Sequence, residues 1–245
     1  MIKLAISGCM GRMGQRILYL AGLDKNFKVT VLLESKDRPD VPKELNGLKV
    51  STDASALKAA DVLIEFTSPE ATIEHLKFCE QNGIKMVIGT TGLKPEQIEQ
   101  IKQASQRIPI VFSSNMSVGV NLVFALIEKA AAATLKDYTI SLTETHHVHK
   151  KDAPSGTAKT MAEVAENSSG TKVADIKSIR EGEVIGDHTI TFESGVDTIS
   201  ISHHAKTRDI FAQGSLVAAQ FLKNKKVGLY NMQDALYLSN SLSKD

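Results

Sequence analysis

ISGCMGRMGQRI, residues 6–17, joins an apolar run over residues 3–7 to a segment, residues 12–21, whose apolar positions repeat with the period of a helix. A glycine-rich turn between a strand and a helix is the one context in which a glycine fingerprint carries weight. The spacing here is GxxGxxG rather than GxGxxG: Gly8, Gly11 and Gly14, with Met10 and Met13 where the usual second and third glycines fall. The physical requirement survives that shift. Gly8 permits the tight turn, Gly11 lets backbone N–H groups close on a pyrophosphate, and the helix N-terminus faces the negative charge. Taken alone, the loop has a less favoured alternative, a turn that binds nothing.

Working outward, Glu34 closes the next apolar run, residues 28–33, about 20 residues beyond Gly14. A carboxylate there can accept hydrogen bonds from an adenosine ribose; a solvent-facing strand end is the plain alternative. Arg12 is close enough to counter a phosphate, while Lys36 and Arg38 add positive charge past Glu34, so NADH and NADPH both stay open. Strands expected at 62–66, 85–88 and 108–112 alternate with helices at 69–81 and 95–104. That is the pattern of an α/β, Rossmann-type doubly wound parallel sheet, with its ligand edge at the strand C-termini. Two of those strands end in small or hydroxylated residues, Gly89-Thr90-Thr91 and Ser113-Ser114-Asn115, against which a flat nicotinamide and its ribose can lie.

Composition fits that reading. Of 245 residues, 42% are hydrophobic and 23% charged, as in ordinary globular proteins. Lys plus Arg number 29 against 28 Asp plus Glu, so no global field draws the chain to nucleic acid or acidic membranes, and any anion recognition must be local. No run approaches the ~20 apolar residues of a membrane span, and the N-terminus lacks a targeting pattern, so a cytoplasmic enzyme is expected. Cys9 and Cys79 sit in no metal-ligand spacing. Cys9, inside the glycine loop, is expected to pack behind the turn.

After residue 117 the texture changes. A long apolar helix over residues 118–133 precedes DYTISLTETHH, where Tyr138, Ile140 and Leu142 alternate as in a half-buried strand. HTITFES and DTISISHHA alternate likewise around Gly195 and predict an antiparallel hairpin. Helices over 209–222 and around 232–242 follow.

Between these elements lies ETHHVHKKDAPSGTA, residues 144–158. In a strand, neighbouring side chains point to opposite faces, so His146, His147 and His149 cannot share one metal ion, and no metal is expected. Histidine is better placed as a proton donor, its ordinary pKa of ~6.5 lying near neutrality. Ser155 is an expected N-cap, leaving the Gly156 and Thr157 amides directed at an anion, with Lys150 or Lys151 adding charge. A plain capped surface helix is the alternative.

Together, GCMGRMG, EFTSPEAT, MVIGTTG, FSSNMSVGVNL, ETHHVHKKDAPSGTA, REGEVIGDHTITF and ISHHAKTRDIFAQGSL resemble, in order, the 4-hydroxy-tetrahydrodipicolinate (dihydrodipicolinate) reductases of lysine and diaminopimelate synthesis. The resemblance implies a Rossmann domain over 1–117 to which 208–245 returns, and an α+β substrate and oligomerisation domain with a mixed open sheet over 118–207. It implies a homotetramer in the cytoplasm, or in the plastid of a plant, acting on a small dicarboxylate with neither nucleic acid nor membrane as partner. The cofactor would be NADH and/or NADPH, and reduction of the hydroxylated substrate would be accompanied by loss of water. His146 falls on the family's acid/base histidine, Lys150 on its catalytic lysine, and His147, Gly156 and Thr157 on substrate-contacting positions. Gly8, Cys9, Met10, Gly11, Arg12, Met13, Glu34, Gly89, Thr90, Thr91, Ser113, Ser114, Asn115 and Met116 fall on cofactor-binding ones. Ser35 stands where many NADPH-using members carry Arg, and Ser68 where some do, which weakens a strict NADPH preference. Another nicotinamide-dependent oxidoreductase, or a non-catalytic dinucleotide sensor, would share the glycine loop but not HHxHKxDAPSGT.

Overall fold

The computed structural model describes residues 1–134 and 137–238, which form two compact units: Met1–Ser117 with Phe211–Tyr237, and Val118–Ile210 with Leu238. The first unit opens with β1 (Ile2–Ser7), α1 (Arg12–Leu23), β2 (Phe27–Leu33), the two-residue β3 (Glu44–Leu45) and β4 (Leu48–Ser51). A 3-10 turn at Ala54–Ala59 leads to β5 (Val62–Glu65), α2 (Pro69–Asn82), β6 (Lys85–Ile88), α3 (Pro95–Ala104) and β7 (Pro109–Phe112). Pro at the first turn and Ser68 as N-cap start α2, and Gly83 in the left-handed region ends it. β5 is buried throughout, as a central parallel strand with helices on both faces requires.

Two groups at the ligand edge of β5 matter for stability. Glu65 is fully buried; its Oε2 lies 2.7 Å from His75 Nδ1 on α2, and Thr67 Oγ1 donates to the other oxygen. Burial works against the imidazolium, but the hydrogen bond and charge of Glu65 outweigh it and hold the His75 pKa above its ordinary value. A raised pKa gives stability that is complete below the unfolded value of ~6.5 and lost as pH rises through the folded one. The gap in melting temperature between wild type and His75→Gln should therefore be wider at about pH 6 than at about pH 9. Equal gaps would mean that the imidazole is uncharged in the folded chain.

The second unit contains α4 (Val118–Ala133), β8 (Thr139–His146), α5 (Gly156–Ser169), β9 (Val173–Arg180), β10 (Asp187–Glu193) and β11 (Thr198–His204). Its sheet runs β11-β10-β8-β9, with β8 and β9 parallel across the α5 connection and β10 antiparallel to β8 and β11. This is the expected mixed sheet, and β10–β11 is the expected hairpin. The strand β9 went unforeseen because Val173, Ile176 and Ile179 do not alternate and its pairing with β8 shifts register after Ile140. One face packs Ile140, Leu142, Ile190 and Phe192 against Phe124 and Ile127 of α4 and Met161 of α5. The opposite face presents hydroxyls, with Thr189 paired to Ser202 at 2.9 Å and Thr191 to Ser200 at 3.3 Å.

The chain then returns to the first unit through α6 (Asp209–Leu222), β12 (Gly228–Tyr230) and α7 (Met232–Ala235). The return begins at Phe211, slightly later than position 208, because Phe211 and Ala212 are the first α6 residues packed on that core. The helix expected to reach 242 stops at Ala235, and its far end lies outside the described residues. Gly214 is obligatory in α6, since a Cβ there would stand 1.6 Å from the Met116 carbonyl oxygen. β12 extends the sheet to β12-β7-β6-β5-β1-β2-β4-β3, parallel except for β3 against β4. The chain order reverses at β1, the switch point at which such sheets bind ligands. Among the described residues no helix is long and apolar enough to cross a membrane.

Candidate active site

The glycine turn of the first unit has the close backbone packing that a dinucleotide's pyrophosphate requires. Gly8 takes φ +67° where a Cβ would stand 2.9 Å from the Phe66 carbonyl oxygen, and a Cβ on Gly14 would stand 2.1 Å from the Gly8 carbonyl oxygen. The loop and α1 therefore touch backbone to backbone, as in a pyrophosphate-binding turn. Of the loop's amides, Cys9 N–H donates to Leu33 O, Met10 N–H to Glu34 Oε2 at 2.9 Å, and Gly11 N–H to Gly8 O. The groups directed at an anion are thus the first-turn N–H groups of α1, at Arg12 and Met13, which Gly11 has no side chain to cap. The residues fit the group.

Other expected cofactor positions divide into two kinds. Glu34, Thr91, Ser113, Ser114 and Asn115 lie at or next to C-terminal strand ends along one sheet edge with the glycine loop. At Gly89, Thr90, Cys9 and Met116 the side-chain space is taken up by packing, which leaves backbone groups as what these positions can offer a cofactor. A Cβ on Gly89 would strike the Phe66 ring at 2.3 Å, and buried Thr90 Oγ1 accepts from Thr67 N–H and bonds Thr72. Met116 is in the core. Burial and the Glu34 charge push the Cys9 thiol up to about 11, so it is inert behind the turn.

In the second unit the strand pattern itself marks the chemistry. Along β8 the buried positions are Ile140, Leu142, Glu144 and His146, and along β10 they are His188, Ile190 and Phe192. Each apolar stripe ends in ionisable residues at core-facing positions. Apolar side chains there would contribute roughly 1.5–3 kcal/mol each, so the fold gains nothing from the exchange and a chemical role is indicated. Register gathers the group: Glu144 pairs with His188 on β10 and Ser178 on β9, and His146 with Arg180.

Glu144 Oε2 contacts His146 Nδ1, and Arg180 Nη2 lies 3.0 Å from Glu144 Oε1; both contacts have ion-pair distances without well-aligned hydrogen-bond geometry. Burial opposes ionisation of Glu144, but the Ser178 hydroxyl, Arg180 and His146 outweigh it and hold its pKa below the ordinary value. His146 is held below its ordinary value by burial, with Lys150 and Arg180 acting in the same direction and Glu144 against them. His188 stacks edge-on against His146 at 5.0 Å, and burial together with the His146 charge pushes it down to about 4, so it is neutral. Ser155 Oγ, which accepts from Ala158 N–H to cap α5, lies 3.1 Å from His188 Nε2, tying the imidazole cluster to that helix start.

Lys150 Nζ is 2.9 Å from Asp152 Oδ1. His147 is half-buried and His149 exposed; both follow the end of β8, His149 in a turn, so strand alternation does not set their direction. Gly156 opens α5 with nothing within 4 Å of where a Cβ would stand, and Thr157 follows in the same first turn. Glu144, Asp152, Arg180 and His188 were missed in the sequence. The available signal was Glu144 two places before His146, and His188 two places before Ile190, on alternating strands. Glu144, His146 and His188 do bring one donor atom each within 4.8 Å of the others, a different trio from the three neighbouring histidines. Arg180 and the imidazole already meet the carboxylate charge.

Two family models described as "Dihydrodipicolinate reductase, N-terminus" and "Dihydrodipicolinate reductase, C-terminus" match residues 2–116 and 119–236. The chain belongs to the dihydrodipicolinate reductase family. Proteins called 4-hydroxy-tetrahydrodipicolinate reductase from Nitrosomonas eutropha and Pelagibacter ubique are 41% and 40% identical to it, over 97% and 96% of this chain and 99% and 98% of their own. A solved dihydrodipicolinate reductase from a Paenisporosarcina species, with dipicolinate bound, shares the fold with a TM-score of 0.83 at 24% identity, covering 96% of this chain and 98% of that one. This dihydrodipicolinate reductase family member is thus a dinucleotide-dependent oxidoreductase, and its cofactor is a nicotinamide dinucleotide.

Proposed function

We propose that the chain reduces 4-hydroxy-tetrahydrodipicolinate to tetrahydrodipicolinate in lysine and diaminopimelate synthesis, with His146 as the proton donor. The observation that carries this reading is the buried Glu144–His146–Arg180 cluster, with Lys150 and the α5 N-terminus following in the same chain segment. When bound, reduced nicotinamide supplies the hydride. His146 gives a proton to the substrate centre that becomes electron-rich, and the substrate's hydroxyl leaves as water, so one hydride and one proton enter for each water lost. Lys150, with the Gly156 and Thr157 amides at the positive end of α5, holds a carboxylate and orients the ring. His147 contacts the substrate from beyond the strand end.

NADH is the favoured cofactor. Glu34 is pinned by the Met10 and Ser35 N–H groups, which supports acceptance of ribose hydroxyls and repels a 2′-phosphate; Arg38 is paired with Asp40 at 2.9 Å. The hydroxyl-lined outer face of the second unit's sheet supports association of subunits as a homotetramer, which light scattering on the purified chain would detect.

The test follows absorbance of NADH or NADPH when purified protein meets the freshly made aldol product of pyruvate and aspartate semialdehyde. Oxidation with a larger kcat/KM for NADH is expected; no oxidation of either cofactor would rule the reading out.

A further inference from the structure

We propose that Glu144 is the positioning residue for His146: its buried carboxylate holds the proton on Nδ1, so that Nε2 is the nitrogen that exchanges a proton with the substrate. The inference rests on His146 being the acid. On a strand, residues two apart share a face, so Glu144 reaches the adjacent imidazole through the nearer ring nitrogen, Nδ1. Gly186 keeps the other nitrogen clear, because any Cβ at that position would stand 3.1 Å from His146 Nε2.

The charges around the ring assign Glu144 a task that no other described group performs. Facing His146 are Glu144 from β8, Arg180 from β9, His188 from β10 and Lys150 from the segment after β8. Three of these are cationic or neutral. Among the described groups only Glu144 favours the imidazolium, and Arg180, 3.0 Å from its carboxylate, keeps it ionised. A carboxylate holding one ring nitrogen fixes both tautomer and ring orientation.

Glu144→Gln keeps the shape and removes the charge. Relative to wild type, kcat should fall roughly 10- to 100-fold with substrate KM little changed. Loss of the carboxylate lowers the His146 pKa further, so the fall of kcat with rising pH should begin at lower pH. Glu144→Asp should recover part of kcat and return the profile toward wild type. A purely structural role would move neither the profile nor its rescue. Independently of any variant, ¹⁵N NMR of the full wild-type chain should show neutral His146 protonated at Nδ1; an Nε2–H tautomer would overturn the proposal even if Glu144→Gln failed to fold. An unchanged kcat and pH profile in folded Glu144→Gln would overturn it as well. Near-normal turnover in His146→Gln would instead remove the acid reading itself, whereas an inactive His146→Gln beside an unaltered Glu144→Gln would remove only the positioning role.

Discussion

His146→Gln is expected to lower kcat by roughly 10²- to 10⁴-fold, the usual worth of a positioned acid, while the KM for the dicarboxylate substrate changes little. Gln can still hydrogen-bond Glu144 and fill the site beside His188, so packing survives; it cannot deliver a proton. On the proposed reading, substrate affinity rests on other groups, Lys150 and the α5 N-terminus. The pH dependence sharpens the expectation. In the free chain burial, Lys150 and Arg180 hold His146 below its ordinary value. A bound dicarboxylate adds negative charge that opposes both cations, which raises the pKa in the complex. The kcat profile should therefore fall at a higher pH than the kcat/KM profile, since the first reports the complex and the second the free enzyme. Near-normal turnover in the variant, or coincident profiles in wild type, would assign the proton to another donor.

Gly14→Ala should have the second large effect, on the other unit. The new Cβ would lie 2.1 Å from Gly8 O and 2.6 Å from Cys9 Cα, both backbone atoms that no rotamer change can relieve. Either α1 or the loop must move, costing about 1–3 kcal/mol or more and displacing the uncapped first-turn amides of α1 proposed to meet the pyrophosphate. Isothermal titration should show NADH binding lost or greatly weakened, with a lower melting temperature by circular dichroism. Wild-type affinity at an unchanged melting temperature would show that the close packing of Gly14 is dispensable.

The alternating helices and strands of the first unit were legible because parallel strands buried on both faces read as continuous apolar runs. The strands β3, β4 and β12, at the two margins of the sheet, were not: among their residues only Val50 is buried, so no continuous apolar run marks them. For the site, ETHHVHKKDAPSGTA announced His146, Lys150 and the capped α5. It did not announce that His146 shares a buried face with Glu144, or that Arg180 and His188 come alongside. Those two arrive from strands 34 and 42 residues further on (180 − 146 and 188 − 146), and only register places them. Likewise the glycine spacing announced a turn, but not that Glu34 would take the Met10 amide and leave the uncapped amides to the first turn of α1.

The register of β10 on β8 has one more consequence. A slip of a single residue would turn Ile140 and Leu142 outward together with Glu144 and His146, because strand side chains alternate strictly. The same pairing that closes the hydrophobic face brings Glu144, His146 and His188 together, so a mispaired chain loses core and cluster at once. Quality control of the core and of the cluster is a single event: molecules that settle are molecules with both assembled.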